Sequence, residues 1–228
     1  MILTVLQMFL LATIIVLSYL VGSIPTSIIV SKLSRGIDIR DYGSGNAGGT
    51  NVMRVLGWKQ GVLVIALDAL KGVLAVVVVA RLHYGAMPFT NATPFDDFTL
   101  IQIIAGISAV IGHIWTVFAG FRGGKGIATA LGMLLMISTV DMLIAIGVFV
   151  VVVLISRYVS LGSIIAAIAV PLTLVVRENI FNVNIPGYNT LLPFIIVITL
   201  LVIFTHRKNV VRLLNGSENK LNFSKKKK

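Results

Sequence analysis

A polar, glycine-rich segment occupies residues 43–54, between two stretches hydrophobic enough to cross a membrane. Glycine lets backbone N–H groups approach an anion closely, and Ser, Thr and Asn side chains offer further donors. An arginine adds a fixed charge with a planar fork of donors. The candidate phosphate ligands in this first loop are Ser44, Gly45, Asn46, Thr50, Asn51 and Arg54. This combination favours binding of a phosphate group.

A second glycine-rich segment, FRGGKG, occupies residues 121–126 in the middle of the chain. Gly123, Gly124 and Gly126 are further candidates for phosphate contacts, and Lys125 supplies a second anchored cation. Neither loop has the spacing of a nucleotide-binding P-loop, and this one follows a hydrophobic stretch rather than a strand. Spacing alone leaves each loop open to being a flexible turn. The two together favour chemistry on a phosphorylated substrate at a membrane surface.

The composition indicates a polytopic membrane protein. Of the 228 residues 57% are hydrophobic and only 12% are charged, whereas soluble domains carry roughly 25% charged residues. We therefore expect one integral-membrane domain over residues 1–228. The chain has no cysteine, which excludes disulfides and thiolate nucleophiles, and no metal or cofactor motif is present, so neither a metal nor a cofactor is expected.

The apolar runs predict an all-α fold of about seven transmembrane helices joined by glycine-rich cytoplasmic loops. The predicted spans are residues 2–30, 62–82, 98–118, 127–140, 142–155, 161–176 and 191–205. The first lacks the basic start and cleavage site of a signal peptide, so we expect a retained helix. The fourth and fifth are short, which predicts either a thin hairpin that turns at Asp141 or a partly re-entrant pair.

The distribution of basic residues predicts the orientation. Of the 19 Lys and Arg residues, all but Lys71, Arg81 and Arg177 fall on one side of the predicted spans. The positive-inside rule then places the active-site loops and the C-terminus in the cytoplasm and the N-terminus outside. The net charge of +11 is explained in this way, and no nucleic-acid partner is expected. Residues 216–228, which end in four lysines, are predicted to be a flexible basic tail attracted to membrane lipid.

Asp68, Lys71 and His113 are polar residues within or at the end of predicted spans. Asp68 and Lys71 are three apart, so on a helix they face the same way and are expected to neutralise each other. Charge inside a membrane helix can also indicate function, and both readings stay open. His113, at the cytoplasmic end of the third span, is either a hydrogen-bonding anchor or a general base, and it is also a candidate for contact with a substrate phosphate.

Four segments resemble the cytoplasmic motifs of a known family. They are GSGNAGGTNVMRVLG, GHIWTVFAGFRGGKGIATALG, SRYVSLGS and THRKNVVRLLNGSENK, and the family is the bacterial acyl-phosphate:glycerol-3-phosphate acyltransferases, PlsY. The resemblance implies a seven-helix enzyme of the bacterial inner membrane, active early in phospholipid synthesis. Its substrates would be glycerol 3-phosphate and acyl phosphate, and its products lysophosphatidic acid and phosphate.

The resemblance also implies roles for particular residues. Ser44 and Arg54 match the first active-site loop, Lys125 the second, and His206, Asn209 and Glu218 the third. The glycines of the second loop correspond to those associated with glycerol 3-phosphate. The family usually has proline where this chain has Ala47 and Thr116, so both loops are expected to be less rigid. The proton acceptor is either the phosphate of the substrate or His206.

Two other classes of function compete with this interpretation. A small organophosphate transporter would also present basic glycine loops, although it needs a polar path across the membrane and often has internal repeats. A noncatalytic scaffold for lipid-synthesis enzymes is the third candidate.

Overall fold

The computed structural model describes residues 2–83, 87, 90–92, 97–185 and 187–221, with side chains from Val5 onward. This described part contains ten α-helices and three short 3-10 turns, and no strand. The helices are α1 (Ile2–Ser23), α2 (Thr26–Arg35), α3 (Gly49–Leu56), α4 (Trp58–Val77), α5 (Asp97–Ile114), α6 (Ile127–Ile137), α7 (Thr139–Ser156), α8 (Val159–Asn179), α9 (Tyr188–Thr205) and α10 (Arg207–Leu214).

Six helical segments of the described chain are long and apolar enough to span a membrane, and α6 is a shorter apolar helix. The first segment combines α1 and α2, and the others contain α4, α5, α7, α8 and α9. In lipid a helix satisfies all its backbone hydrogen bonds internally, which is why such apolar stretches fold as helices. The prediction of an all-helical membrane protein with about seven apolar segments is confirmed.

The first predicted span is not one continuous helix. It breaks between Ser23 and Thr26, because Pro25 has no N–H to donate to the preceding turn. The Thr26 N–H bonds instead to the carbonyl of Ile24 at 2.9 Å, and the carbonyl of Ser23 accepts the hydroxyl of Thr116. The predicted span over residues 2–30 therefore lies within one apolar segment, Val5–Arg35, that is divided into two helices, α1 and α2.

The hairpin of α6 and α7 turns at Ser138, so the prediction of a turn at Asp141 is wrong. Asp141 lies in the first turn of α7 and is 1% exposed. One of its carboxylate oxygens accepts the Ser138 hydroxyl and an Arg177 N–H from α8, both at 2.7 Å. A carboxylate is favoured in the first turn of a helix. The fourth span is short as predicted, whereas α7 has 18 residues and is long enough to span.

Two helix pairs approach closely at glycines. A Cβ on Gly22 of α1 would lie 2.0 Å from the carbonyl oxygen of Ala109 on α5, and a Cβ on Gly132 of α6 would lie 1.9 Å from that of Ala69 on α4. Small residues of this kind let membrane helices pack backbone against backbone. These contacts hold α1 against α5 and α4 against α6.

The polar connections gather at one end of the helix bundle, which we call the loop end. An Nη1–H of Arg40 in the first loop donates to the carbonyl of Ala119 at 2.8 Å. The Leu221 N–H, after α10, donates to the carbonyl of Arg157 between α7 and α8 at 2.7 Å. The two glycine loops, the α7–α8 connection and the segment after α10 therefore lie side by side.

Candidate active site

The first loop is organised by one buried side chain, Asn51, which is 1% exposed. Its Oδ1 accepts the Ser44 N–H at 2.8 Å, and its Nδ2 contacts the carbonyls of Ile39, Tyr42 and Asn46 at 2.9–3.1 Å. All the polar capacity of this amide is thus used inside the loop. Asn51 therefore shapes the loop and is not a free donor.

Arg54 lies near the end of α3, one turn beyond Asn51. An Nη2–H donates to the carbonyl of Asn219 at 3.2 Å, while its buried Nε has no hydrogen-bond partner among the described residues. Burial holds the pKa of the guanidinium below its ordinary value, but an arginine stays charged in a protein. Arg54 is a fixed cation whose Nε–H is an unused hydrogen-bond donor among the described residues.

The second loop closes onto the end of α5. The N–H groups of Gly123 and Gly124 donate to the carbonyls of Ile114 and His113, both at 3.1 Å. Both amides are thus used within the protein, because a helix end buried here needs donors for its last carbonyls. A phosphate contact at Gly123 and Gly124 stays a prediction. Gly126 has φ +78° and precedes the first turn of α6. The loop thus seats Lys125 at the start of α6.

Lys125 reaches from the second loop to the third motif. Its ammonium donates to Oδ1 of Asn209 on α10, and its backbone carbonyl lies 3.2 Å from the Thr205 hydroxyl that ends α9. Burial, together with the charges of Arg212 and Arg54, lowers the pKa of Lys125 to about 8, although Glu218 acts in the opposite direction. The residue is cationic at neutral pH and lies beside two other cations.

Glu218 is the acceptor around which the third motif is arranged. It is 6% exposed, and its Oε1 accepts the Asn209 amide and the Ser160 hydroxyl, each at 2.9 Å. Its Oε2 accepts the Nε–H of Arg212 at 2.7 Å. Burial raises the pKa of Glu218, but these three hydrogen bonds outweigh burial and hold it below its ordinary value. The carboxylate orients Asn209 so that the amide oxygen faces Lys125.

The segment that carries Glu218 is held in place. The N–H groups of Ser217 and Glu218 donate to the carbonyl of Arg212 at 2.9 and 3.1 Å, and the Lys220 ammonium lies 5.3 Å from the centre of the Tyr158 ring. These contacts place residues 217–221 against the loop end, whereas the sequence predicts a flexible tail from residue 216. Residues 222–228 lie outside the described part of the chain.

His206 lies between α9 and α10 and is 3% exposed. Its Nδ1 is 2.9 Å from the carbonyl of Val202, so Nδ1 carries the proton and Nε2 is the acceptor. Burial, followed by the charge of Lys125, lowers the pKa of this imidazole to about 4. His206 is therefore neutral at pH 7 and a weak base.

The structure brings together the predicted residues Arg54, Lys125, Asn209 and Glu218, with His206 beside them. The remaining first-loop candidates include Ser44, Gly45, Asn46 and Thr50. Among the described residues, no hydrogen bond joins the side chain of Ser44, Asn46 or Thr50 to this cluster. His113 lies beneath the second loop, with Nδ1 3.4 Å from Oδ1 of Asp68.

Sequence analysis missed two members of the cluster, Ser160 and Arg212. Both lie inside the quoted motifs SRYVSLGS and THRKNVVRLLNGSENK, which was the only signal available for them. The complete cluster has three cations, Arg54, Lys125 and Arg212, around a single carboxylate. Such an excess of positive charge, with oriented N–H donors, suits a phosphate dianion.

The comparisons with known proteins agree with this geometry. A family model described as glycerol-3-phosphate acyltransferase matches residues 12–216. A glycerol-3-phosphate acyltransferase of Chlorobaculum tepidum is 49% identical, with 93% of this chain and 97% of the relative covered. One of Chlorobium chlorochromatii is 47% identical, with 94% and 98% covered.

Two solved structures of PlsY, an integral membrane glycerol 3-phosphate acyltransferase, are 37% identical to this chain. The glycerol 3-phosphate form has a TM-score of 0.76, with 93% of this chain and 96% of that chain covered. The lysophosphatidic acid form has a TM-score of 0.72, with 95% of each chain covered. From the fold, the site and these matches together, the chain belongs to the PlsY family of glycerol-3-phosphate acyltransferases.

Proposed function

We propose that this protein transfers a fatty acyl group from acyl phosphate to glycerol 3-phosphate, giving lysophosphatidic acid and inorganic phosphate. The observation that carries the proposal is the cluster of Arg54, Lys125 and Arg212 around Glu218, in which the buried Nε of Arg54 has no partner among the described residues. Both proposed substrates carry a phosphate group. The PlsY structures in glycerol 3-phosphate and lysophosphatidic acid forms support the acceptor and the product.

In the proposed reaction the cations hold two phosphate groups close together and offset their mutual repulsion. The hydroxyl oxygen of glycerol 3-phosphate attacks the carbonyl carbon of acyl phosphate. The bond from that carbon to the phosphate oxygen then breaks, and inorganic phosphate leaves with the bonding pair. N–H donors of the loop end stabilise the negative charge on the carbonyl oxygen in the transition state.

The choice of acyl phosphate as the acyl donor is inferred from the lack of a strong general base in the cluster. The imidazole of His206, with a pKa of about 4, is poorly matched to proton abstraction near neutral pH. Acyl phosphate is already activated, and phosphate leaves without needing a strong general acid. We therefore assign the proton to a phosphate oxygen of a substrate, and we assign His206 to the orientation of its neighbours.

Glu218 and Asn51 are proposed to act indirectly. Glu218 accepts hydrogen bonds from Asn209, Ser160 and Arg212, so it orients these donors and does not contact substrate. Asn51 shapes the loop that carries Ser44 and Arg54. Ser44 is proposed as a substrate contact on the first loop, together with Gly45, Asn46 and Thr50, and Gly126 contributes the start of α6.

The test is an assay of the purified protein in lipid nanodiscs with palmitoyl phosphate and labelled glycerol 3-phosphate. We expect labelled lysophosphatidic acid and an equal amount of phosphate. No product should form when acyl-CoA or acylated acyl carrier protein replaces palmitoyl phosphate. Lys125→Ala should abolish turnover. The matched control is Lys59→Ala, because Lys59 is an exposed lysine just after the first loop. Uptake of glycerol 3-phosphate into proteoliposomes without lipid product would instead identify a transporter.

The site is proposed to face the cytoplasm of a bacterial cell, with the N-terminus outside, since the loop end carries most of the basic residues. The chain has no cysteine, so single cysteines can report sidedness. Ser44→Cys, Lys125→Cys and Asn215→Cys should all be shielded from impermeant thiol reagents in intact cells. Labelling of one of the three but not the others would contradict the assignment of spans.

A further inference from the structure

We propose that Asp68 is a positioning residue, which sets the second loop and therefore Lys125 through the side chain and backbone of His113. The inference rests on the proposed function for its kinetic assay. Nothing in the sequence motifs assigns a role to Asp68, which lies within the membrane-spanning helix α4.

Asp68 is the centre of a buried polar cluster. Its Oδ1 accepts the Lys71 ammonium at 2.6 Å and the Thr26 hydroxyl at 2.5 Å, and it lies 3.4 Å from Nδ1 of His113. All four residues are at most 8% exposed. They come from three different helices, namely α2, α4 and α5.

Charge neutralisation alone does not account for this arrangement. Lys71, one turn along the same helix, is enough to balance Asp68, and the expectation that the two pair with each other is confirmed. The carboxylate nevertheless also holds Thr26 just beyond the break between α1 and α2, and His113 in the last turn of α5. Asp68 therefore ties together the elements that carry the loop end.

His113 transmits this position to the second loop in two ways. Its carbonyl accepts the Gly124 N–H at 3.1 Å. Its ring packs directly on the loop, since Nε2 lies only 2.1 Å from where a Cβ on Gly124 would be. The next residue along the chain is Lys125, so a turn of this ring displaces the ammonium that contacts Asn209.

A small cavity beside the cluster supports a positioning role over a binding role. It has a volume of about 10 Å³ and is lined in part by Thr26, Lys71, His113, Gly123 and Gly124. This is room for about one water molecule. The Asp68 carboxylate and the Lys71 ammonium are hydrogen-bonded to each other, so their charges act within this cluster beneath the second loop.

The test compares kcat and KM for glycerol 3-phosphate in Asp68→Asn, His113→Ala, His113→Asn and the double variant Asp68→Asn/His113→Ala. Asp68→Asn and His113→Ala should each lower kcat/KM by about 10- to 100-fold. The double variant should lose no more than His113→Ala alone, because both changes act along one path. His113→Asn should recover most of the loss of His113→Ala, since the Asn amide can donate from the position of Nδ1.

The pH profile separates positioning from general destabilisation. Lys125 is faced by Glu218, Arg212, Arg54 and His206, and none of these is changed in the variants. A loosened loop exposes Lys125 to water, so the alkaline limb of kcat/KM should move upward from about pH 8 in Asp68→Asn. The matched control is Asp141→Asn, which removes a buried ion-paired carboxylate at the opposite end of the bundle and should leave both kcat/KM and its alkaline limb unchanged.

A wild-type profile in Asp68→Asn, or additive losses in the double variant, would overturn the inference. Equal effects of Asp141→Asn and Asp68→Asn would also overturn it. If the wild type does not use acyl phosphate, the proposed function fails by itself. The affinities of the same variants for glycerol 3-phosphate, measured by calorimetry, still test the inference, because a displaced Lys125 weakens binding whatever the donor is.

Discussion

Replacing Gly124 with alanine should severely impair the enzyme, and the structure gives the size of the disturbance. The new Cβ would lie 2.1 Å from Nε2 of His113 and 3.0 Å from the carbonyl oxygen of Ala47. Ordinary contact begins at 3.4 Å, so the loop and the ring must separate by about 1.3 Å, the difference between 3.4 and 2.1 Å. The ring has little freedom to yield, because it is 7% exposed and packed against Asp68.

A displacement of about 1 Å in a positioning element can lower the rate roughly 100-fold, which corresponds to about 2.7 kcal/mol. We expect a loss of this order in kcat/KM for glycerol 3-phosphate in the nanodisc assay. The control is Gly147→Ala on α7, where a Cβ meets no atom within 4 Å. Activity of Gly124→Ala within threefold of wild type would refute the argument that this loop and His113 are in rigid contact.

Three further predictions concern the cationic cluster and its histidine. Because burial lowers the pKa of Lys125 to about 8, kcat/KM should fall as pH rises through that value, and Lys125→Arg should carry activity to higher pH; a flat profile up to pH 10 would contradict this. Arg54→Ala should lose about 2–3 kcal/mol of transition-state stabilisation, and Arg54→Lys should lose less because it keeps the charge but not the fork of donors; equal turnover in wild type and Arg54→Ala would remove this residue from the site. His206→Gln should keep activity within about tenfold of wild type and show a raised KM, whereas a His206→Gln enzyme with normal KM and a rate lowered 100-fold or more would identify His206 as the base.

Much of the fold could be predicted from the sequence because hydropathy and helical spacing are local properties. The apolar runs locate the membrane helices, and the spacing of Asp68 and Lys71 is enough to predict their contact. The break at Pro25 follows from a single residue whose chemistry is known, yet a long apolar run conceals it. The turn at Ser138 was missed because Asp141 is a common turn residue, and only its contact with Arg177 on another helix explains its burial.

The sequence motifs predict most of the residues that form the site, but they do not predict which hydrogen bonds each residue makes. The motifs point to Lys125, Asn209 and Glu218, which do lie together. Residue spacing cannot show that the amides of a glycine loop donate to the last carbonyls of α5. Nor can it show that the Asn51 side chain makes all its hydrogen bonds within its own loop. These assignments depend on which carbonyls lie nearby, and that is settled by contacts between distant parts of the chain.

The position of Glu218 has a consequence for the biogenesis of the protein. Arg54 precedes α4, Lys125 precedes α6, Ser160 lies in the first turn of α8, and Glu218 follows α10. Glu218 is therefore synthesised after helices α1 to α10, and a nascent chain that already carries Arg54, Lys125 and Asn209 still lacks the carboxylate that orients the Asn209 amide. The cluster is complete only once all the described helices have been synthesised.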